Sequence, residues 1–171
     1  MFKNLVLVLL LSIVVNAASF NYKNISISHD DSKGMWNSFN FVYTKENLFL
    51  NGEISVDFKA ISGEEDQGGG IMYRVIDDNN YYVARFNPLE DNFRFYYVKN
   101  GFRSMLKSAK VHLNSSKYHS MKIIQNKNHY EAYLDGKKFL DGYDDTFSKA
   151  GGVGVWSKAD AYTKFRNLEI K

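Results

Sequence analysis

Residues 69–107 read GGIMYRVIDDNNYYVARFNPLEDNFRFYYVKNGFRSMLK, and the alternation within this stretch sets the architecture. Four apolar segments (GGIMYRVI, YYVARFN, NFRFYYV and FRSML) are separated by DDNN, NPLED and KNG, which are clusters of turn-favouring residues. A four-residue loop at Asp77-Asp78-Asn79-Asn80 pairs Ile76 with Tyr81, Arg74 with Val83 and Met72 with Arg85. A loop over residues 87–92 pairs Arg85 with Arg94, Val83 with Tyr96 and Tyr81 with Val98. A two-residue Asn100-Gly101 turn then sets Val98 opposite Arg103, Tyr96 opposite Met105 and Arg94 opposite Lys107.

Side chains alternate across a strand, and paired residues share a face. One face therefore collects Ile71, Tyr73, Val75, Tyr82, Ala84, Phe86, Phe93, Phe95, Tyr97 and Leu106, and this is the core face. The other collects Met72, Arg74, Tyr81, Val83, Arg85, Arg94, Tyr96, Val98, Arg103, Met105 and Lys107, and it is basic and aromatic. Three separate hairpins agree on this partition, whereas a slip of one residue would invert a strand. Rings beside guanidinium forks suit sugar recognition, because a pyranose stacks on Tyr or Trp while Arg binds hydroxyls or carboxylates. The same residues equally serve as cover for an exposed sheet, with acids such as Asp57 pairing the arginines. The residues alone leave both readings open.

Outward from this stretch the pattern persists. Ile54, Val56 and Phe58 alternate with Ser55, Asp57 and Lys59, and HSMKIIQ, HYEAYL, KKFLD, GGVGVW and YTKFRNLEI follow further on. NKN and the tight turn Asp135-Gly136 separate them. Pro88, the sole proline, falls in a loop, where it breaks no ladder. The Gly-rich run GEEDQGGG (63–70) lacks the GK[ST] of a phosphate loop and reads as a flexible connection between strands. Only residues 104–114 could host a helical turn or two. The expectation is an all-β, two-sheet antiparallel sandwich, since a sheet with one apolar face must bury it against another.

The chain has 171 residues, 12 Tyr, 13 Phe and no Cys. Such an aromatic load excludes a disordered chain, and the missing cysteines exclude disulfides, thiolate metal sites and a cysteine nucleophile. The opening MFKNLVLVLLLSIVVNAASF has Lys3, an apolar run from Leu5 to Val15 and a small-residue cleavage site ending at Ala17. This is the layout of a signal peptide over residues 1–17, and its run is too short to span a bilayer. A single domain over residues 18–171 is expected to be exported, periplasmic or extracellular, with no stable membrane insertion after cleavage. Loss of Lys3 leaves the exported chain only mildly basic, which argues against nucleic acid as a partner.

A longer motif order is also present: GGIMYRVIDDNNYYVARFN, FRFYYVKNG, Tyr118-His119 before the Lys122-Ile123 strand, Tyr133 to Gly136, Asp144 to Phe147, Gly151 to Trp156 and Phe165 to Leu168. Over about residues 35–171 it resembles the concanavalin A-like lectin/glucanase superfamily, in its laminin-G-like and 3-keto-disaccharide-hydrolase-like branches. The resemblance implies a jelly roll of two curved antiparallel sheets with ligands on the concave one, which by analogy carries the basic-aromatic face. Carbohydrate, acidic glycans included, is then the expected partner. Arg74, Tyr81, Arg85, Arg94, Tyr96 and Trp156 are the expected contacts, with Trp156 open between a core plug and a sugar platform.

Catalysis has weaker support. Glucanases of the superfamily carry E-x-D-x-x-E, and no such string exists here; Glu53 and Asp57 on one strand face are the nearest approximation. His29, His112, His119 and His129 show no metal spacing. Asp77, Asp78, Asn79, Glu90 and Asp91 offer oxygens for calcium, which needs six to eight, but no resident cofactor is expected. A non-catalytic glycan-binding module is the leading expectation. A glycoside or 3-keto-glycoside hydrolase or lyase and a structural or adhesive envelope protein stand as the alternatives.

Overall fold

The computed structural model describes residues 25–27 and 39–171. The expected leader over residues 1–17 lies outside the described residues. Twelve strands follow in order: β1 (Ile25–Ile27), β2 (Phe39–Phe49), β3 (Gly52–Ser62), β4 (Gly69–Asp77), β5 (Asn80–Asn87), β6 (Asn92–Lys99), β7 (Phe102–Lys110), β8 (His119–Asn126), β9 (His129–Leu134), β10 (Lys137–Tyr143), β11 (Gly151–Lys158) and β12 (Tyr162–Ile170). They form two antiparallel six-stranded sheets, ordered β1-β12-β3-β8-β9-β10 and β2-β11-β4-β5-β6-β7. This is the expected two-sheet antiparallel jelly-roll sandwich. Residues 104–110, weighed above as a helical turn, belong to strand β7.

The expected core face packs between the sheets. Ile71, Tyr73, Tyr82, Ala84, Phe86, Phe93 and Phe95 join Ile54, Val56, Phe58, Ile123, Ala132 and Phe165 in the interlayer cluster, with Tyr97 and Leu106 at its margin. Phe95 stacks on Tyr130 of the opposite sheet, with centroids 3.9 Å apart and planes within 12°. Burying these rings is the main source of stability, since each large apolar side chain contributes about 1.5–3 kcal/mol. The polar atoms carried into this layer are paired: the Tyr73 hydroxyl donates to Gln125 Oε1 (2.5 Å), and that of Tyr82 to Asp144 Oδ1 (2.5 Å).

The β5–β6 register is as derived, with Arg85↔Arg94, Val83↔Tyr96 and Tyr81↔Val98. The β6–β7 register agrees at Val98↔Arg103 and Tyr96↔Met105, after which a bulge puts Ser108, not Lys107, opposite Arg94. The β4–β5 hairpin departs further. Its loop holds two residues rather than four, Asp77 pairs with Asn80, and the body of the ladder runs Tyr73↔Tyr82 and Met72↔Val83. Three residues, Arg74 to Ile76, therefore face Tyr81 alone, and the excess is absorbed at Arg74, whose φ is +47°. Gly151 lies against this bulge. A Cβ there would stand 2.5 Å from the Arg74 carbonyl carbon, so a glycine is needed.

Candidate functional site

The bulge overturns one expectation directly. Arg74 leaves the basic-aromatic face and Val75 takes its place there, beside Met72 and Tyr81. The Arg74 guanidinium turns to the end of the sandwich. Its Nε and Nη2 donate to Leu50 O (3.1 and 2.7 Å), Nη2 also to Lys127 O (2.6 Å) and Nη1 to Phe147 O (2.6 Å). Simple period-2 counting fails here because the left-handed Arg74 interrupts the alternation, so Val75 takes the face that counting assigns to Arg74.

The outer face of the β2-β11-β4-β5-β6-β7 sheet, turned away from the interlayer core, has a small core of its own. Met72, Val75, Tyr81, Val83, Tyr96, Val98 and Trp156 are buried there, with Phe39, Phe41 and Tyr43 packed over them. Trp156 is the plug of this cluster and offers no face to solvent. Its Nε1 donates to the Tyr81 hydroxyl (3.0 Å), itself fully buried. Burial pushes the Tyr81 phenol well up, and the indole N–H only partly offsets this. Tyr81 and Tyr96, expected as exposed contacts, are instead buried with Trp156, which takes the plug reading, because β2 supplies aromatic cover that the hairpins alone do not include.

Charged groups converge at one end of this face. Arg85 is buried and bonds Asp66 through Nη2 and Oδ2, both side chains being only 2% exposed. Asp66 Oδ1 also accepts from Gly68 N (2.9 Å). Arg94 Nη1 lies 2.9 Å from Glu90 Oε2, and Arg85 Nη1 lies 3.8 Å from the same oxygen. Burial alone would raise the Glu90 carboxyl, but the Asn92 amide (2.6 Å) and the charges of Arg85, Arg94 and Lys158 hold it below its ordinary value. The Arg103 guanidinium lies 4.5 Å from the Tyr96 ring centroid, with Phe39 at 5.6 Å and Trp156 at 5.9 Å. Burial lowers the affinity of Arg103 and Lys158 for their protons, and neighbouring cations lower it further, Arg85 and Arg94 acting on Arg103 and Arg103 on Lys158.

Several buried polar atoms here have no hydrogen-bond partner among the described residues: Arg85 Nε, Asn87 Nδ2, Asn92 Oδ1 and Arg103 Nη1. Asn87 pairs with Asn92 one step beyond Arg85↔Arg94, so strand alternation puts all four of these side chains on the outer face. Such atoms are rare in folded proteins and each calls for an explanation.

The Gly-rich loop builds one wall and is not free. The Asp160 carboxylate accepts from the backbone N–H of Glu64 (2.6 Å) and Asp66 (3.0 Å), Thr163 Oγ1 donates to Gly68 O (3.2 Å), and Gln67 N reaches Asn87 Oδ1 (3.4 Å). The composition reading missed these side-chain anchors, and with them Asp66. Glu90, Arg103, Lys158 and Phe39 were also absent from the expected contacts, although the parity that selected Arg85 and Arg94 already set Arg103 on their face.

The other expected chemistry is scattered. Glu53 and Asp57 lie on β3, in the opposite sheet, beside Lys122 (3.4 Å) and Arg166 (3.2 Å) respectively. The calcium candidates divide between two turns at opposite ends of β5, roughly 25 Å apart at about 3.3 Å per residue, so they cannot share an ion. Among the described residues His129, Glu131 and Asp141 could meet at a metal, but Lys138 Nζ already bridges the two carboxylates at 2.8 and 2.7 Å.

Known proteins share the fold. Over 114 residues the chain is 27% identical to a levanase of Bacillus subtilis, of whose length it spans 16%. Its fold is that of the carbohydrate-binding module CBM66 from Bacillus subtilis, with a TM-score of 0.73, 20% identity and coverage of 88% of this chain and 97% of that one. A Bacillus licheniformis beta-glucanase shares the fold at a TM-score of 0.58 and 13% identity, covering 86% and 78% of the two chains. Galectin LEC-6 of Caenorhabditis elegans does so at 0.57 and 12%, covering 89% and 94%. The family model of the 3-keto-alpha-glucoside-1,2-lyase-like domain matches residues 18–171, and the chain belongs to that family.

Proposed function

We propose that this protein is an exported carbohydrate-binding module that holds glycan without cleaving it, at the charged end of the outer sheet face. The observation that carries this reading is the set of unpartnered buried polar atoms on Arg85, Asn87, Asn92 and Arg103, gathered beside the surface groups Arg94, Glu90 and Lys158. Saccharide hydroxyls both donate and accept, so one sugar edge can complete several such groups at once. The kinship with a levanase and the fold shared with a carbohydrate-binding module support the same class of ligand. The four cations Arg85, Arg94, Arg103 and Lys158 outnumber Asp66 and Glu90, which extends the ligand range to acidic glycans.

Asp66 and Glu90 both approach Arg85, and paired carboxylates are what glycoside hydrolysis uses. Hydrolysis also needs one carboxyl that stays protonated to act as the acid. Glu90, the more exposed of the two, is held below its ordinary value, which favours binding over cleavage.

Affinity electrophoresis in gels containing levan or polygalacturonate tests the proposal. The protein is expected to be retarded by at least one polysaccharide, and Arg103→Ala and Arg94→Ala to reduce the retardation. Migration unchanged in every gel, or retardation insensitive to both substitutions, would overturn it.

A further inference from the structure

The bulge that takes Arg74 off the sheet face builds something at the other end of the sandwich. A pocket of about 390 Å³ opens there, lined by the β2–β3 turn (Leu50, Asn51), the β8–β9 turn (Lys127, Asn128) and the loop before β11 (Asp144, Asp145, Phe147, Ser148), with Arg74 in its wall. It lies past the opposite end of β5 from the Asp66–Arg85 cluster, Arg74 standing level with Tyr81, four residues or about 13 Å along that strand from Arg85. We propose that it is a second saccharide site, for a neutral sugar unit, separate from the sheet face; this rests on the reading of the chain as a carbohydrate-binding module.

The size agrees with a small ligand, since small-molecule sites occupy about 300–1,000 Å³. The charges balance: Arg74 and Lys127 face Asp144 and Asp145, which suits an uncharged, hydroxyl-rich molecule and gives no net pull on an ion. The polar groups are held at fixed positions. Arg74 is 1% exposed and has five N–H bonds, of which four are given to the carbonyls of Leu50, Lys127 and Phe147. The remaining N–H, on Nη1, has no acceptor among the described residues.

Asn51 is pinned through Oδ1 to Lys127 N (2.5 Å), which leaves its amide N–H groups for a ligand. The Asn128 amide and the Asp145 carboxylate meet only at 3.4 Å, a long contact that a hydroxyl could bridge. Asp144 is turned inward by Tyr82 and by Thr146 N (2.8 Å), so Asp145 is the carboxylate left for hydroxyls. Leu50 and Phe147 supply the apolar surface against which a sugar's C–H groups rest. Because one guanidinium ties all three segments together, the pocket is shaped before any ligand arrives, which lowers the cost of binding.

The test is a two-dimensional amide NMR titration of the full chain with methyl β-fructofuranoside, glucose, galactose and short levan fragments. At least one is expected to shift the amides of Asn51, Asn128, Asp145 and Phe147 with a saturation curve of their own. These shifts should persist in Arg103→Ala and weaken at least tenfold in Asn128→Ala and in Asp145→Ala, both of which alter loop side chains outside the core. If these amides stay still for every sugar, or move only in step with those around Arg103 and vanish in Arg103→Ala, the second site is overturned. Shifts at the loop end without any at the sheet face would sustain this proposal and sink the sheet-face one; the reverse would do the opposite.

Discussion

Replacing Asp66 by alanine isolates what the buried ion pair does. Asp66 and Arg85 are each only 2% exposed, and Arg85 Nε already lacks a partner. Without Asp66 the guanidinium keeps one anionic neighbour, Glu90 at 3.8 Å, which is 45% exposed and engaged with Arg94 and Asn92. A buried charge stripped of its partner costs about 3–5 kcal/mol. Loss of the Gly68 N–H acceptor adds about 1 kcal/mol. For a domain of this size each kcal/mol moves Tm by about 2–4 °C, so the expected fall is on the order of 10 °C. The control is Asp66→Leu with Arg85→Met, which removes both charges and should recover most of the loss, because a buried pair replaced by apolar groups is often neutral. Thermal unfolding followed by circular dichroism, completed as a double-mutant cycle, gives the coupling. A fall of less than about 2 °C for Asp66→Ala, or a double variant no more stable than the single one, would refute the reasoning.

Other consequences follow from the same geometry. Arg74→Lys should lower Tm by several degrees, since one ammonium cannot serve Leu50, Lys127 and Phe147 together; an unchanged melting curve would show that the clamp is dispensable. Trp156→Phe strands the buried Tyr81 hydroxyl at a cost of about 1–3 kcal/mol, and adding Tyr81→Phe should restore part of it in chemical denaturation. The Asp135 carboxyl is raised by burial but lowered more by the His119 ring (2.7 Å) and Ser120 N (2.9 Å), and its net position lies below 3.8. A depressed folded-state value means stability that is full above the unfolded value and lost as pH falls through the folded one. Below about pH 4 the Asp135→Asn variant should therefore lose stability less steeply than the parent, and parallel acid limbs would contradict this.

The parts of the fold legible in the sequence are those fixed by period-2 alternation between recognisable turns. Asn100-Gly101 and Asp135-Gly136 take the positive φ their turns require, and the β5–β6 pairs follow from counting. The count fails where an insertion is absorbed inside a strand. Nothing local in MYRVID announces that Arg74 is the residue that turns, because the cause is remote: three carbonyls from three other segments waiting for its guanidinium. The site divides in the same way. Arg85, Arg94 and Arg103 share a face by parity, whereas Asp66 joins them through a loop fixed by Asp160, about a hundred residues away in the chain, and Phe39 comes from a strand with no sequence tie to the hairpins. Trp156 was undecidable from its neighbours, since plug and platform differ only in what β2 lays over it.

The cover on the outer face changes how aromatic residues can serve recognition there. Tyr96 is 4% exposed, so it cannot present its ring to a sugar, yet it carries Arg103 at 4.5 Å. A guanidinium lying on a ring keeps its edge N–H groups directed outward in the plane where hydroxyls bind, and the ring suppresses its rotation. Tyr96 then acts as a positioning residue. Its removal should weaken glycan binding by the worth of one such contact, about 1 kcal/mol or roughly fivefold in affinity. Tyr96→Leu is expected to show this in the levan or polygalacturonate gels, at a temperature where circular dichroism shows the variant still folded. Tyr96→Phe keeps the ring and loses only the hydroxyl that faces Arg94, so it should bind better than the leucine variant. If both variants bind like the parent, the ring does not position Arg103 for ligand; if Phe and Leu are equally weak, the hydroxyl and not the ring is what matters.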